Sequence, residues 1–202
     1  MKPSGTGPGR NNGKGGDAPV RRRFTQDLVR AESIAAMLAD SRASEVIEVS
    51  DLLAGMYIDN WERLSRYWAD PEDLEAFLQQ FCQLSPPRWQ YWLQYYDELR
   101  QTTQRKPSLL SRLLRREGKK SFAEKVFQRS QDLDEILADA EQIAPFRDSV
   151  NGSDVPILTM ECVVLCIAKH PGMEISKKLR ATGLDINNLE RAARFPKHAP
   201  QH

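Results

Sequence analysis

The stretch "ILTMECVVLCIAKHPGMEISKKLRATGLDI" (Ile157–Ile186) holds two apolar-periodic segments separated by a Pro-Gly break. Thr159 stands where an N-cap side chain accepts from the first free backbone N–H groups of a helix. Glu161 follows in the first turn, where a carboxylate suits the positive end of the helix dipole. Val163, Val164, Leu165 and Ile167 make the first segment apolar nearly all round, the pattern of a helix at the centre of a core. His170-Pro171-Gly172 ends it. The second segment, "GMEISKKLRATG", stops at Gly183, the residue type that closes a helix in a left-handed turn. "DINNLERAARF" then opens a further helix with Asp185 as N-cap. Three short helices in so little chain, with no alternating strand pattern, place the protein in the all-α class.

Cys162, Cys166 and His170 recur every four residues and could begin a zinc site. A fourth ligand is missing, because Cys82 is distant and His198 and His202 lie at the end of the chain. The two cysteines therefore read as small core residues, and neither a metal nor a cofactor is expected. Cysteine and histidine along one helix also lack the orienting third group and oxyanion donors of a nucleophilic site, so the chain reads as a non-enzyme.

The same pattern appears earlier. "FTQDLVRAESIAAMLADS" places Leu28, Ala31, Ile34, Ala35 and Leu38 on one helical face after Thr25 as N-cap. "VSDLLAGMYID" follows as a short apolar helix to about Tyr57, with Ser50 as N-cap and Asp51 beside it. "NWERLSRYW" continues with Trp61, Leu64 and Trp68 on one side. "PEDLEAFLQQFCQL" starts at Pro71, which suits a first helical turn, and carries Leu74, Phe77, Leu78 and Phe81. A second series opens with "FAEKVFQRSQDLDEILADAEQI" at Phe122, with Val126, Leu133, Ile136, Leu137 and Ala140 at helical spacing. It crosses "APFRDSVNGSDVP", a loop by its Pro, Gly, Asn and Ser content, and enters the stretch quoted first. Each series is a long amphipathic helix, a connection, a short apolar helix and two more helices. One such unit leaves an apolar face bare, and two cover each other.

This duplicated four-helix unit resembles the Clp N-terminal (Clp repeat) domain that stands at the front of Clp-type AAA+ unfoldases. The likeness rests on "FTQDLVRAESIAAMLA" and on "LTMECVVLCIAKHPGMEISKKLRATGLDINNLERA", and more loosely on "EVSDLLAGM" with "NWERLSRYWADPEDLEAFLQ". It covers about residues 24–84 and 122–193. It implies two pseudo-symmetric four-helix Clp repeats packed as one domain, with a helical insertion between them. In some members the glutamate of a Gly-Thr-Glu-His turn helps bind phosphorylated arginine on substrates. Glu161 matches that glutamate in the second repeat, and Ser50, beside Asp51, holds the equivalent place in the first. Met160 and Val49 replace the family's threonine, so half of that signature is missing. No Walker A motif is present, and the chain reads as a Clp-repeat protein without an ATPase module.

The rest of the chain divides around these repeats. Residues 1–23 form a Gly-rich tail with a net charge of about +5 that buries too little apolar surface to order itself. Its Gly13-Lys14 lacks the following Ser or Thr of a phosphate loop. Residues 24–84 are the first repeat, 85–121 an aromatic and basic helical insertion, 122–195 the second repeat and 196–202 a flexible tail. From Leu84 to Lys120 the net charge is about +6. Trp89, Trp92 and Tyr96 share one helical face there. Such residues cover a seam between repeats, anchor a protein interface, or stack on nucleic acid.

The 202 residues carry 29 Lys and Arg against 28 Asp and Glu, a balance that selects no partner class. No apolar run approaches the roughly 20 residues of a membrane span, and no secretory signal is evident. Three cysteines make no disulfide framework, which points to a reducing cytoplasm. The expected function is protein binding in Clp proteostasis, with a substrate, an adaptor or a Clp ATPase or protease subunit as partner. The expected binding residues are Glu161, Ser50, Asp51, Trp89, Trp92 and Tyr96. The alternative is a small nucleic-acid-associated regulator that uses the basic tail and the insertion.

Overall fold

A computed structural model of the chain describes residues 23–82, 91, 94, 125–150 and 153–195. Their order is β1 (Arg23–Phe24), α1 (Gln26–Ser41), β2 (Val46–Ile47), α2 (Val49–Leu64), a 3-10 turn (Ser65–Tyr67) and α3 (Pro71–Cys82). After the undescribed stretch come β3 (Gln128–Arg129), α4 (Gln131–Ile143), β4 (Phe146–Val150), β5 (Ser153–Leu158), α5 (Met160–Lys169), α6 (Glu174–Ala181) and α7 (Ile186–Arg194). The fold is mostly helical with a few short strands. No helix among the described residues is long and apolar enough to cross a membrane.

Local signals set most helix limits. Thr159 accepts from the Cys162 N–H, Asp185 accepts from the Asn188 N–H, and Pro71 opens α3, each as its residue type favours. Gly183 has φ +71°, the left-handed conformation that lets the chain turn after α6 without a Cβ clash. The expected faces of α1 and α5 are buried, as are Leu74, Phe77 and Leu78 of α3, while Phe81 is half-buried; Cys162 and Cys166 lie in the core among Val163, Val164 and Ile167.

Short strands tie the two halves together reciprocally. β1, ahead of α1, pairs in parallel with the end of β5, ahead of α5. β3, ahead of α4, pairs in parallel with β2, ahead of α2. The Thr25 N–H donates to the Leu158 carbonyl and the Ser130 N–H donates to the Ile47 carbonyl, each at 3.0 Å. A third exchange lies ahead of the last helices: Trp68 bridges Leu184, the Ala69 N–H reaches the Gly183 carbonyl, and the Asp185 N–H reaches the Tyr67 carbonyl. Each half thus supplies backbone partners that the other half lacks. One apolar core runs through both, from Leu28 and Leu53 to Val164 and Leu189.

Several local expectations are corrected. Residues 125–130 are not the first turn of a helix: α4 begins at Gln131, because Arg129 is committed to the β2 pairing and the Ser130 side chain accepts from the Leu133 N–H. Val126 is accordingly 80% exposed. Phe122 lies outside the described residues. The N-cap of α2 is Glu48, not Ser50, and the Glu48 N–H donates to Asp51 Oδ2 at 2.9 Å. The helix expected to end near Tyr57 runs to Leu64 across a break at Asn60 (φ −150°, ψ 53°). That break turns Trp61 outward, 46% exposed, while Leu64 and Trp68 are buried as expected. The segment read as a loop before α5 is an antiparallel hairpin, with Phe146 opposite Ile157 and Val150 opposite Ser153.

The two helices that follow β1 and β3 are capped differently. Thr25 Oγ1 is buried with no hydrogen-bond partner among the described residues, whereas Ser130 Oγ accepts from the Leu133 N–H at 3.3 Å. Replacing an unsatisfied buried hydroxyl by a methyl removes a desolvation cost. Thr25→Val is therefore expected to leave stability unchanged or raise it by up to about 1 kcal/mol, and Ser130→Ala to lower it by about 1 kcal/mol. Urea denaturation of the two variants checks this, and the reverse order would show that Thr25 is the working cap.

Candidate functional site

The β1–β5 pairing places Thr25 beside Leu158, so α1 and α5 begin side by side. Each has an acidic first turn, with Asp27 on α1 and Glu161 on α5. Two carboxylates at adjacent helix N-termini need a cation between them, and the end of α2 supplies Arg63. Its guanidinium grips Glu161 through both oxygens, Nε to Oε1 at 2.6 Å and Nη2 to Oε2 at 2.8 Å. Its remaining branch reaches Asp27 Oδ2 at 2.5 Å. The Tyr67 hydroxyl donates to Glu161 Oε1 at 3.2 Å.

Glu161 is 4% exposed and Arg63 and Asp27 are half-buried, so a desolvated carboxylate is held between the halves by a cation that keeps one side toward solvent. Burial alone would draw the Arg63 pKa down, but Glu161 and Asp27 outweigh it and hold the guanidinium charged. Burial, reinforced by Glu161, pushes the Tyr67 phenol well above its ordinary value, so Tyr67 stays a donor. A ligand could reach the Glu161 carboxylate only by displacing Arg63.

The corresponding region of the first half is built likewise from an arginine and a carboxylate. Asp51, 3% exposed, accepts both branches of Arg42 at 2.6 and 2.7 Å, and its other duty is to the Glu48 N–H. Ser50 is half-buried, and its backbone carbonyl lies 3.4 Å from the Cys82 sulfur. Ser50 and Glu161 hold corresponding positions two residues after the caps Glu48 and Thr159, but their surroundings differ. The structure brings Ser50 and Asp51 together and assembles Glu161 with Arg63, Asp27 and Tyr67. Trp89, Trp92 and Tyr96 lie outside the described residues, while Tyr91, in the same stretch, is exposed.

The cysteines have one electrostatic character. Burial raises the thiol of Cys82 to about 12, with Asp51 adding to it, and raises that of Cys166 to about 12, with Asp139 and Cys162 adding. Cys162 is raised by burial as well. These are protonated thiols packed among side chains, not nucleophiles near neutral pH. No group of three or more His, Cys, Asp or Glu able to hold a metal ion occurs among the described residues. His170 sits at the C-cap of α5, outside the helix, and so leaves the stripe that Cys162 and Cys166 share.

Asp27, Arg63 and Tyr67 carry no local signal that marks them as partners of Glu161. Their meeting depends on the β1–β5 pairing and on the α1–α2 hairpin. Compared with protein-family models, with curated proteins and with solved structures, the chain matches none.

Proposed function

We propose that the chain is a non-enzymatic protein-binding module of the Clp-repeat kind, built to recognise a substrate, an adaptor or a Clp ATPase or protease subunit. The observation that carries this reading is the reciprocal pairing of two halves of like element order, β1 on β5 and β3 on β2. It is the arrangement that a duplicated helical unit needs to cover its own apolar faces, and the sequence resemblance to Clp repeats calls for such a duplication. The raised thiols support a binding role over covalent chemistry. Glu161 and Asp51, each gripped by an arginine of the same chain, act in this reading as fasteners of the frame. Contact with a partner falls to more exposed residues and to the aromatic and basic segment that includes Trp89, Trp92 and Tyr96.

Cys82 approaches the Ser50 carbonyl, Lys125 pairs with Asp40 and the Gln128 N–H meets the Glu45 carbonyl, so both ends of the intervening chain sit against residues 40–50. The test is affinity capture from host lysate with the intact protein and with a variant lacking Trp89–Lys120, with nuclease treatment and a salt series in parallel. Circular dichroism verifies that the variant folds. Recovery of Clp ATPase or protease subunits that survives nuclease and salt is the expected result. Recovery of nuclease-sensitive material alone, falling steeply with salt as phosphate contacts require, overturns the reading in favour of nucleic-acid association.

A further inference from the structure

The reciprocal pairing equates Thr25 with Ser130 and Ile47 with Leu158, and so sets α1 against α4 and α2 against α5 residue by residue. The two helix pairs are closed differently. In the first half, Ile34, Met37 and Leu38 of α1 and Ile58 of α2 are all buried, and α1 lies directly on Gly55. In the second half those positions are Asp139, Gln142, Ile143 and Lys169, and the glycine is Cys166. Asp139, Gln142 and Lys169 are exposed. The faces that close on each other in one half stand open and charged in the other. A chain under selection for packing alone has no reason to put a lysine and an aspartate where its other half buries isoleucines.

The opening is a cleft of about 260 Å³ between α4 and α7, floored by the C-terminal half of α5. Ile143, Leu165 and Cys166 give it an apolar floor, and the Cys166 thiol is uncharged there. Its α7 lip holds two cations on one anion: Lys169 Nζ lies 2.7 Å from Glu190 Oε2, and Arg194 Nη2 lies 2.6 Å from Glu190 Oε1. Both cations pull the Glu190 carboxyl below its ordinary range, Lys169 most strongly. An ammonium has three donors and a guanidinium five, so the lip keeps spare donors and one net positive charge. Lys169 and Arg194 remain 48% and 61% exposed. The opposite lip carries Asp139, whose carboxylate makes no ion pair or hydrogen bond among the described residues and so can accept backbone N–H groups.

We propose that this cleft is a socket for the C-terminal residue of a partner polypeptide, with its apolar side chain on the floor and its free carboxylate on Lys169 and Arg194. The volume lies below the roughly 300 to 1,000 Å³ of sites for whole small molecules and suits a single side chain. The lip already binds a carboxylate, that of Glu190, and has donors left for a second. A terminal carboxylate springs from the same Cα as the side chain that fills the socket. An acidic neighbour within an extended chain projects to the opposite face and misses the lip. An apolar floor within a charged rim is also the anatomy of an interface anchor point.

The identity of the occupant as a polypeptide rests on the protein-binding reading above; the cleft's chemistry does not. The test is therefore run on the cleft by itself. The full chain, labelled with ¹⁵N, is titrated with three probes: acetyl-Gly-Gly-Leu with a free C-terminus, its C-terminal amide, and acetyl-Gly-Leu-Asp-amide. The free acid is expected to give saturable amide shifts at Ile143, Leu165, Lys169 and Arg194, and each of the other probes to bind at least about tenfold more weakly. Arg194→Glu, a change at an exposed helix position, is expected to remove that preference while leaving the remaining spectrum in place. Equal binding of acid and amide, shifts elsewhere on the surface, no saturable shift, or an Arg194→Glu variant that keeps the preference would each overturn the socket. Such a failure leaves the lysate capture free to succeed, and a failed capture leaves the titration free to succeed, so the two readings fall separately.

Discussion

Arg63→Ala is expected to destabilise the protein by about 3 kcal/mol, because it leaves the buried Glu161 carboxylate and the half-buried Asp27 without their cation. Glu161 is 4% exposed and loses both of its guanidinium bonds, keeping only the Tyr67 hydroxyl. Asp27 loses its link as well. The magnitude sits at the low end for buried pairs because the Arg63 side chain is itself 37% exposed and water can enter when it is removed. In a chain of this size the loss corresponds to a fall in Tm of about 6 to 12 °C.

Glu161→Gln is expected to cost less, about 1 to 2 kcal/mol, because the amide still accepts from Tyr67 and Arg63 keeps Asp27 and solvent. The order of the two variants is the sharp part of the prediction. Guanidinium denaturation midpoints at unchanged slope measure it. If Glu161→Gln proves the more damaging, the cluster is not held together by Arg63.

The same cluster shows what could and could not be read before the fold was known. Thr159, Pro71, Gly183 and Asp185 act within one turn of where they stand, and the apolar periods of α1, α3 and α5 are local too. Such signals are legible because their physics spans a few residues. The two-residue strands β1, β2 and β3 are too short to show alternation, and each exists only because the other half offers a backbone partner. The helix expected from Phe122 is the instructive error. Val126 fits the period of Leu133 and Ile136, yet the Arg129 backbone is taken by β2, and Ser130 starts the helix with its own hydroxyl. The hairpin before α5 was readable, since Asn151-Gly152 is the dipeptide that two-residue hairpin connections favour, but its polar residues read as loop. Of the candidate site, Glu161 was visible as a first-turn acid. Its partners Arg63 and Tyr67 were not, because only the assembled halves bring them within bonding distance of it, and Asp27 joins the cluster through Arg63, where the α1–α2 hairpin places it.

Gly55→Ala is expected to cost about 3 kcal/mol, as much as the loss of Arg63, although it adds a single methyl to a helix. Intrinsic helix propensity works the other way and favours alanine by about 1 kcal/mol, so the packing term must exceed the net figure. The obstacle is main chain. A Cβ on Gly55 would overlap the Ala31 carbonyl oxygen and come within 3.1 Å of the Ala31 carbon and the Ala35 nitrogen. A side chain could rotate away; the backbone of α1 can only retreat as a body. That retreat would loosen the contacts of Ile34, Ala35 and Leu38 and would draw Asp27, which rides on α1, away from Arg63. Gly172→Ala is the control: its nearest neighbours are the His170 ring atoms, at 3.8 and 4.0 Å, and the change should stay within about 0.5 kcal/mol. Thermal denaturation of both variants decides the matter, and a Gly55→Ala protein as stable as Gly172→Ala would mean that α1 does not lie on α2 at this point. The corresponding residue in the second half is Cys166, at the floor of an open cleft. One position thus sets how closely each half closes: a glycine on α2 lets α1 seal the first half, and a cysteine on α5 fits where α4 does not close down, beneath the cleft between α4 and α7.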